Sequence, residues 1–535
     1  MKKNLFIIGV ILVAVSGIFW IYSKSNHPVG SEFTQNTPLQ KISDIDISKL
    51  PDAQKPQVIE LQNGDTYSLT ASMVKKKINE QEVKMLAYNG SIPGSIIKVK
   101  QGSEITINFT NNIDVETTIH SHGVRLDNKF DGVPDVTQKP VEVGESFEYK
   151  IKFPDAGMYW YHPHIREDYA QELGLYGNFW VVPSSENYWS KVNQEIPLFI
   201  DDILIENGKI ASFGSIADHT LMGRFGNTML VNGETDYKLQ VKKGEVIRFY
   251  VTNSANTRVF NLSIPNTKMK LVGGDNGKYE KERFVDNIIV SPSERALVEA
   301  YFPDSGDYKI VHKTPEKDYI LGNIGVSDED TTVSFKEDFE KLRINSDTIS
   351  SIDPFRDYFD TEVDKNIKLS LTMKSPMGGN GSQHMMHGGN MMDNSMMSMG
   401  DSEPIEWEDD MGMMNRNSTT ESLKWELIDE QTGKVNDDIN WKFKVGDKIK
   451  IKIFNDPDSM HPMQHPIHLH GQKFLVLNED GKRNDNMVWK DTVLVPSGST
   501  VELLVEMENP GTWMMHCHIA EHLESGMMAE FTVLK

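Results

Sequence analysis

Apolar and polar residues alternate in short runs along most of the chain, and one pattern recurs three times. It reads "VKQGSEITINFTNN" from Val99, "VKKGEVIRFYVTNS" from Val241 and "FKVGDKIKIKIFND" from Phe443. Each copy has a glycine (Gly102, Gly244, Gly446), an alternating strand, and an asparagine (Asn111, Asn253, Asn455). A second element also recurs: "FPDAGMYWYHPH" from Phe153, "FPDSGDYKIVHK" from Phe302 and "MENPGTWMMHCH" from Met507. Period-two alternation bounded by Gly, Pro and Asn predicts half-buried strands. Three copies of one strand pattern predict an all-β chain of three sandwiches. The expected boundaries are 56–185, 194–333 and 365–535, with a linker over 334–364.

The first residues break this pattern. Lys2 and Lys3 precede an unbroken apolar run from Leu5 to Tyr22. As a helix it would span roughly 27 Å, close to a bilayer core. Positive residues lead it, so the body is expected outside the cytoplasm, at the cell surface or secreted. Residues 1–24 read as a signal peptide or an uncleaved membrane anchor, and 25–55 as a polar tether.

Composition narrows the chemistry. A formal net charge of −23 argues against nucleic acid and fits a soluble or cation-attracting surface. A single cysteine, Cys517, cannot form an internal disulfide. It is therefore an inert buried thiol, a nucleophile or a metal ligand.

The histidines discriminate between these. Of 16, ten lie in four motifs: "HSHG" (His120, His122), "HPH" (His162, His164), "HPIHLHG" (His465, His468, His470) and "HCHIAEH" (His516, His518, His522). The motifs sit at matching places in the outer repeats. The middle repeat has "FNLS" and "IVHK" instead, with Asn261 and His312 expected at the vacated ligand positions. It reads as a spacer or a wall.

On a strand, residues i and i+2 share a face, so each His-x-His pair aims two imidazoles at one place. Four pairs exceed what one zinc needs and leave no open three-ligand site with a general base, which argues against a zinc hydrolase. Cys517 faces away from His516 and His518 and is expected to bind a separate metal. With His465, His522 and a weak axial Met527 it makes a blue-copper electron-transfer set. Its backbone then links two copper centres.

These four motifs resemble those of the multicopper oxidases, over about residues 55–535. The resemblance implies three cupredoxin-like Greek-key domains and four copper ions. Type 1 copper would take His465, Cys517, His522 and Met527. Type 2 would take His120 and His468, and the type 3 pair His122, His162, His164, His470, His516 and His518. It implies one-electron oxidation of a substrate at type 1 copper and four-electron reduction of O2 to water at the other three. Asp131, nine residues after His122, matches an acid that assists protonation; the Asp-Gly pair is also a turn signal. Many bacterial relatives carry an acid where this chain has Leu523, with Glu521 or Glu524 as the nearby substitutes.

Residues 373–414 hold 12 of the 27 methionines, with His384 and His387. The Gly, Asn and Ser content argues against packed core, which leaves a loose loop or a soft-ligand surface suited to Cu(I). The segment resembles the methionine-rich insert of copper-efflux oxidases. Met463 matches a methionine those enzymes use beside type 1 copper, and His461 stands where another polar ligand is expected. The sequence thus favours a monomeric cuprous oxidase for copper tolerance. The alternatives are a laccase acting on phenols, a ferroxidase, or a non-catalytic copper-binding cupredoxin protein.

Overall fold

The alternating runs form strands because each has one face to bury. The computed structural model describes residues 45–374 and 404–535. Its main sheets form three facing pairs with one shared topology. In each, a leading strand pairs parallel to the repeat strand: Thr66–Ile78 with Glu104–Asn112, Gln194–Ile203 with Val246–Asn253, and Lys365–Met373 with Lys448–Asn455. In each, the second repeat element pairs antiparallel with the strand that carries, or in the middle repeat lacks, histidines. Separate apolar cores fill the three pairs. The all-β expectation holds.

The repeated asparagines explain how histidine strands are placed. Asn111 Nδ2 donates to Val115 O and Val141 O, both at 2.8 Å. Asn253 does the same to Arg258 O and Val290 O. Asn455 donates to Val495 O at 3.0 Å and to Met463 O at 2.7 Å. A buried amide that satisfies two loop carbonyls fixes the path from one sheet to the other. In the third copy that path ends two residues before His465.

The register corrects one expectation. His120 faces His162 and His468 faces His516, whereas Leu262, not Asn261, faces His312. Asn261 lies one residue off and points to the opposite face. Counted from the glycine of the second repeat element (Gly157, Gly306, Gly511), the pair that matches His120–His162 and His468–His516 is Ser263–Val311, so neither vacated position carries an imidazole. Among the described residues His312 belongs to no convergent group of three ligand atoms.

The polar stretch read as a tether is docked before residue 55. Ala53 N donates to Lys75 O at 2.7 Å and Gln54 N to Gly90 O at 2.8 Å, extending the first sandwich. The linker is structured too. It forms short helices at Lys336–Glu340 and Ser346–Ile352, and Ile352 and Phe355 pack on Leu475, Leu477 and Trp489. The apolar run Leu5–Tyr22 and most of the methionine-rich stretch, with His384 and His387, lie outside the described residues.

Candidate metal centre

Strand His120–His122 pairs with Gly157–His162 in the first sandwich, and His465–Leu469 pairs with Gly511–Cys517 in the third. These two hairpin edges meet, and every motif histidine is buried. Their ring nitrogens converge in four groups, each with ligand atoms within 4.8 Å of one another. These are His120, His122 and His468; His122, His162 and His518; His164, His470 and His516; and His465, Cys517 and His522.

Main-chain carbonyls aim four of these rings. Nδ1 lies 2.8 Å from Asp131 O in His120, from Pro163 O in His162, from Asp491 O in His468 and from Cys517 O in His516. An Nδ1–H spent on a carbonyl leaves Nε2 as the bare nitrogen. The Nε2 atoms of His120, His162, His164, His468 and His518 are indeed buried without a partner. Those of His470 and His516 face each other at 3.0 Å. Buried polar atoms are normally satisfied, so this concentration of bare nitrogens fits cations. Burial, and then neighbouring imidazoles, hold His122, His162, His164, His468, His470 and His518 well below the usual histidine range. Neutral rings are what metals require.

The thiol group is tighter. Cys517 Sγ lies 3.5 Å from His465 Nδ1 and 3.9 Å from His522 Nδ1, and the two nitrogens are 3.2 Å apart. Donor bonds of roughly 2.0–2.3 Å to one central ion give edges of this size. Burial pushes the thiol well up. Only a bound cation would keep it as thiolate in this apolar setting. Met527 is fully buried beside it: Cys517 N donates to Met527 O at 3.1 Å, and Met527 N to His522 O at 3.0 Å. The Trp425 ring stacks on His522 at 4.2 Å and closes one side.

Asp131 links the outer sandwiches. Its Oδ2 lies 2.8 Å from His470 Nδ1, its carbonyl holds His120, and Oδ1 has no hydrogen-bond partner. It also occupies a turn: Gly132 follows with φ +83°, and a Cβ there would fall 2.0 Å from Ile119 O. The turn aspartate thus also touches two of the motif histidines. Leu523 is buried in an apolar contact with Val133 and Met514. Glu521 accepts from Asn256 and Thr257, and burial, then Asp168, push its pKa up to about 8. Burial, then Asp168, push Glu524 up to about 7.

Three residues near the histidines escape sequence reasoning. Glu167 Oε1 lies 3.5 Å from His164 Nδ1. Asp491 Oδ1 lies 3.1 Å from His122 Nε2, and Arg295 of the middle sandwich grips Asp491. A signal existed for the last: in "RALVEAY" Arg295, Leu297 and Glu299 alternate on a face that a lone sandwich would expose, yet all three are buried.

Met463 is fully buried in the core cluster that holds Cys517 and Met527. His461 is buried with neither ring nitrogen partnered; burial lowers it to about 4, opposed by Asp409. Glu406 N donates to Gln464 Oε1 at 2.7 Å and Gln464 Nε2 to Glu406 O at 3.1 Å. The end of the methionine-rich stretch is thereby fixed next to His465.

Three family models described as multicopper oxidase match residues 70–186, 191–335 and 404–535. The chain is 28% identical over 457 residues to a protein named multicopper oxidase mco of Staphylococcus aureus, covering 84% of each. It is 24% identical over 605 residues to copper resistance protein A of Escherichia coli, covering 88% of this chain and 93% of that one. Its fold matches a solved structure from Campylobacter jejuni, described as a multicopper oxidase and metallo-oxidase. That match has a TM-score of 0.65 and 24% identity, and covers 92% of this chain and 100% of that chain.

Proposed function

Since the chain belongs to the multicopper oxidase family, an oxidoreductase, we propose that it oxidises Cu(I) one electron at a time, reduces O2 to water, and serves copper tolerance outside the cytoplasm. The division into sandwiches over 56–185, 194–333 and 365–535 is part of the same reading. The buried His461, with two bare nitrogens beside Met463, carries the substrate assignment. An imidazole and a thioether suit a cuprous ion far better than a phenol ring.

The donor sets fit copper. His465, Cys517, His522 and Met527 would hold one ion; His120 and His468 a second; His122, His162 and His518 a third; and His164, His470 and His516 a fourth. Bound copper supplies electron acceptance at the thiolate and electron delivery to dioxygen at the histidines. The protein supplies the rest. Cys517 is bonded to both His516 and His518, so the shortest path between the centres is one residue's backbone. Asp131 orients His120 through its carbonyl and His470 through Oδ2, and is the carboxylate placed to pass protons toward dioxygen. Trp425 and the apolar core around it exclude water from the thiolate.

The complete donor sets oppose a non-catalytic role. Steady-state rates with Cu(I), Fe(II) and a phenol decide the substrate. Cu(I) is expected to give the highest kcat/KM; a higher value for the phenol would make the chain a laccase, and for Fe(II) a ferroxidase.

A further inference from the structure

His122 differs from the other histidines of the cluster. In His120, His162 and His468 Nδ1 meets a main-chain carbonyl and Nε2 is bare; in His122, Nε2 meets Asp491 Oδ1 and Thr492 Oγ1, both at 3.1 Å, and Nδ1 is bare. Asp491 therefore sets the opposite tautomer in this ring. Its carbonyl meanwhile holds His468 Nδ1, and the His122 and His468 rings stack at 3.7 Å. One residue of the third sandwich thus aims a histidine of the first and a histidine of its own.

Asp491 is in turn held from the middle sandwich. Arg295 Nη1 donates to Oδ1 at 2.7 Å, Nη2 donates to Oδ2, and Asn276 Nδ2 donates to Oδ2 at 3.0 Å. Arg295 Nε donates to Met158 O at 3.0 Å and Nη1 to Ser293 O at 2.8 Å. The guanidinium touches all three sandwiches and is 1% exposed. Gly123, directly after His122, packs on this pair: a Cβ there would lie 2.3 Å from Asp491 Oδ2.

We infer that Arg295, from the sandwich without ligands, is a positioning residue of the histidine cluster, fixing through Asp491 the tautomer and orientation of His122. A buried ion pair adds little net stability over apolar packing, whereas a two-pronged guanidinium fixes a carboxylate plane. The fork leaves Oδ1 directed at His122. A lysine at 295 would keep the charge and lose the fork.

The inference rests on the copper reading above, and the test separates the two. The full chain is loaded with copper and titrated with a chelator, following total copper and the blue absorption of the Cys517 site. Histidine nitrogen NMR on the metal-free protein reports the ring tautomers. Arg295→Gln is expected to loosen histidine-held copper by roughly 10–100-fold, the usual effect of losing such an outer partner. It should leave the blue site intact and shift one ring from the Nε2–H to the Nδ1–H form. Arg295→Lys should loosen it by about 10-fold. In an Asp491→Asn background, Arg295→Gln should add no further loss. Parent-like copper retention and tautomers in Arg295→Gln or in Arg295→Lys would overturn the inference, as would equal loss from the blue site. A parent that holds no copper at its histidines would instead refute the functional reading.

Discussion

His516 and His518 stand two residues apart on one stretch of chain and join different groups: His516 converges with His164 and His470, His518 with His122 and His162. Cys517 between them turns to His465 and His522. Strand alternation turns Cys517 away from His516, and the strand ends at Cys517, so His518 leaves from the bend that follows it. Three consecutive side chains thus reach three donor sets. On the proposed function, electron transfer along this path would depend on residue 517 for its link to the substrate side.

Cys517→Ser is expected to abolish the blue absorption and all turnover while the histidine groups still load copper. Serine fits the space, so folding is not the variable. Absorbance together with copper content decides it; a variant that stays blue would show that the thiolate is not the ligand.

On the proposed function Asp131 would act where dioxygen is reduced, a step common to every reductant. Asp131→Asn keeps the shape and should keep the copper. Its kcat should fall by roughly 10–100-fold, as when other outer partners of ligands are lost. The fall should be the same for Cu(I) and a phenol. Unequal falls would move Asp131 to the substrate side.

The middle sandwich gives a contrasting case. His312 Nδ1 accepts from Asn261 N at 3.0 Å and the ring stacks on Tyr319 at 5.6 Å, with Leu262 opposite. His312→Gln should leave copper content unchanged. A fall in bound copper would mean that this sandwich holds an ion.

What the sequence made legible follows from periodicity. The in-register repeats identify which strands meet, but the His-x-His spacing brings two rings into one group only for His120 and His122; His164, His470 and His518 lie just past their strands and join other groups than their partners. Register within a strand is harder: the repeats put Asn261 and His312 at the vacated ligand positions, and only strand pairing shows that Leu262, not Asn261, faces His312. Sequence spacing also carries no information about Arg295 and Asp491, 196 residues apart. Their contact exists only because three sandwiches close on one another. Asp131 is legible only through the resemblance, nine residues after His122; its contact with His470 joins residues 339 apart in the chain.

Acid should destabilise the metal-free protein. Burial lowers His465, His516 and His312 to about 3 and His461 to about 4, from an ordinary value near about 6.5. Below about 6.5 the unfolded chain takes up protons that the folded chain refuses, so folding stability is lost from there down to about 3. Denaturant midpoints of the metal-free chain should fall between pH 7.5 and 5. Bound copper should hold the midpoint up in that window, because ligation opposes the same protons. Equal acid sensitivity with and without copper would mean that the buried rings are not its ligands.

The substrate assignment is tested by three changes that act differently. Residues 404–417 are built into the fold: Arg258 Nη1 donates to Trp407 O at 2.6 Å and Met222 N to Asn415 Oδ1 at 3.0 Å. A deletion meant to remove methionines without unpacking the third sandwich should therefore span 377–403. If those thioethers collect Cu(I), the deletion should raise the apparent KM for Cu(I), while oxidation of a bulky phenol holds steady or rises. Met463→Leu keeps volume and apolarity and removes a soft sulfur beside the thiolate site. It should lower the Cu(I) rate without raising the phenol rate, since nothing is uncovered. Replacing His461 with Leu should add to that defect, because the bare ring nitrogens are lost. Steady-state kinetics with both reductants separate collection from transfer. Parent-like Cu(I) oxidation in all three variants would leave the segment a loop and make a broad laccase the better description.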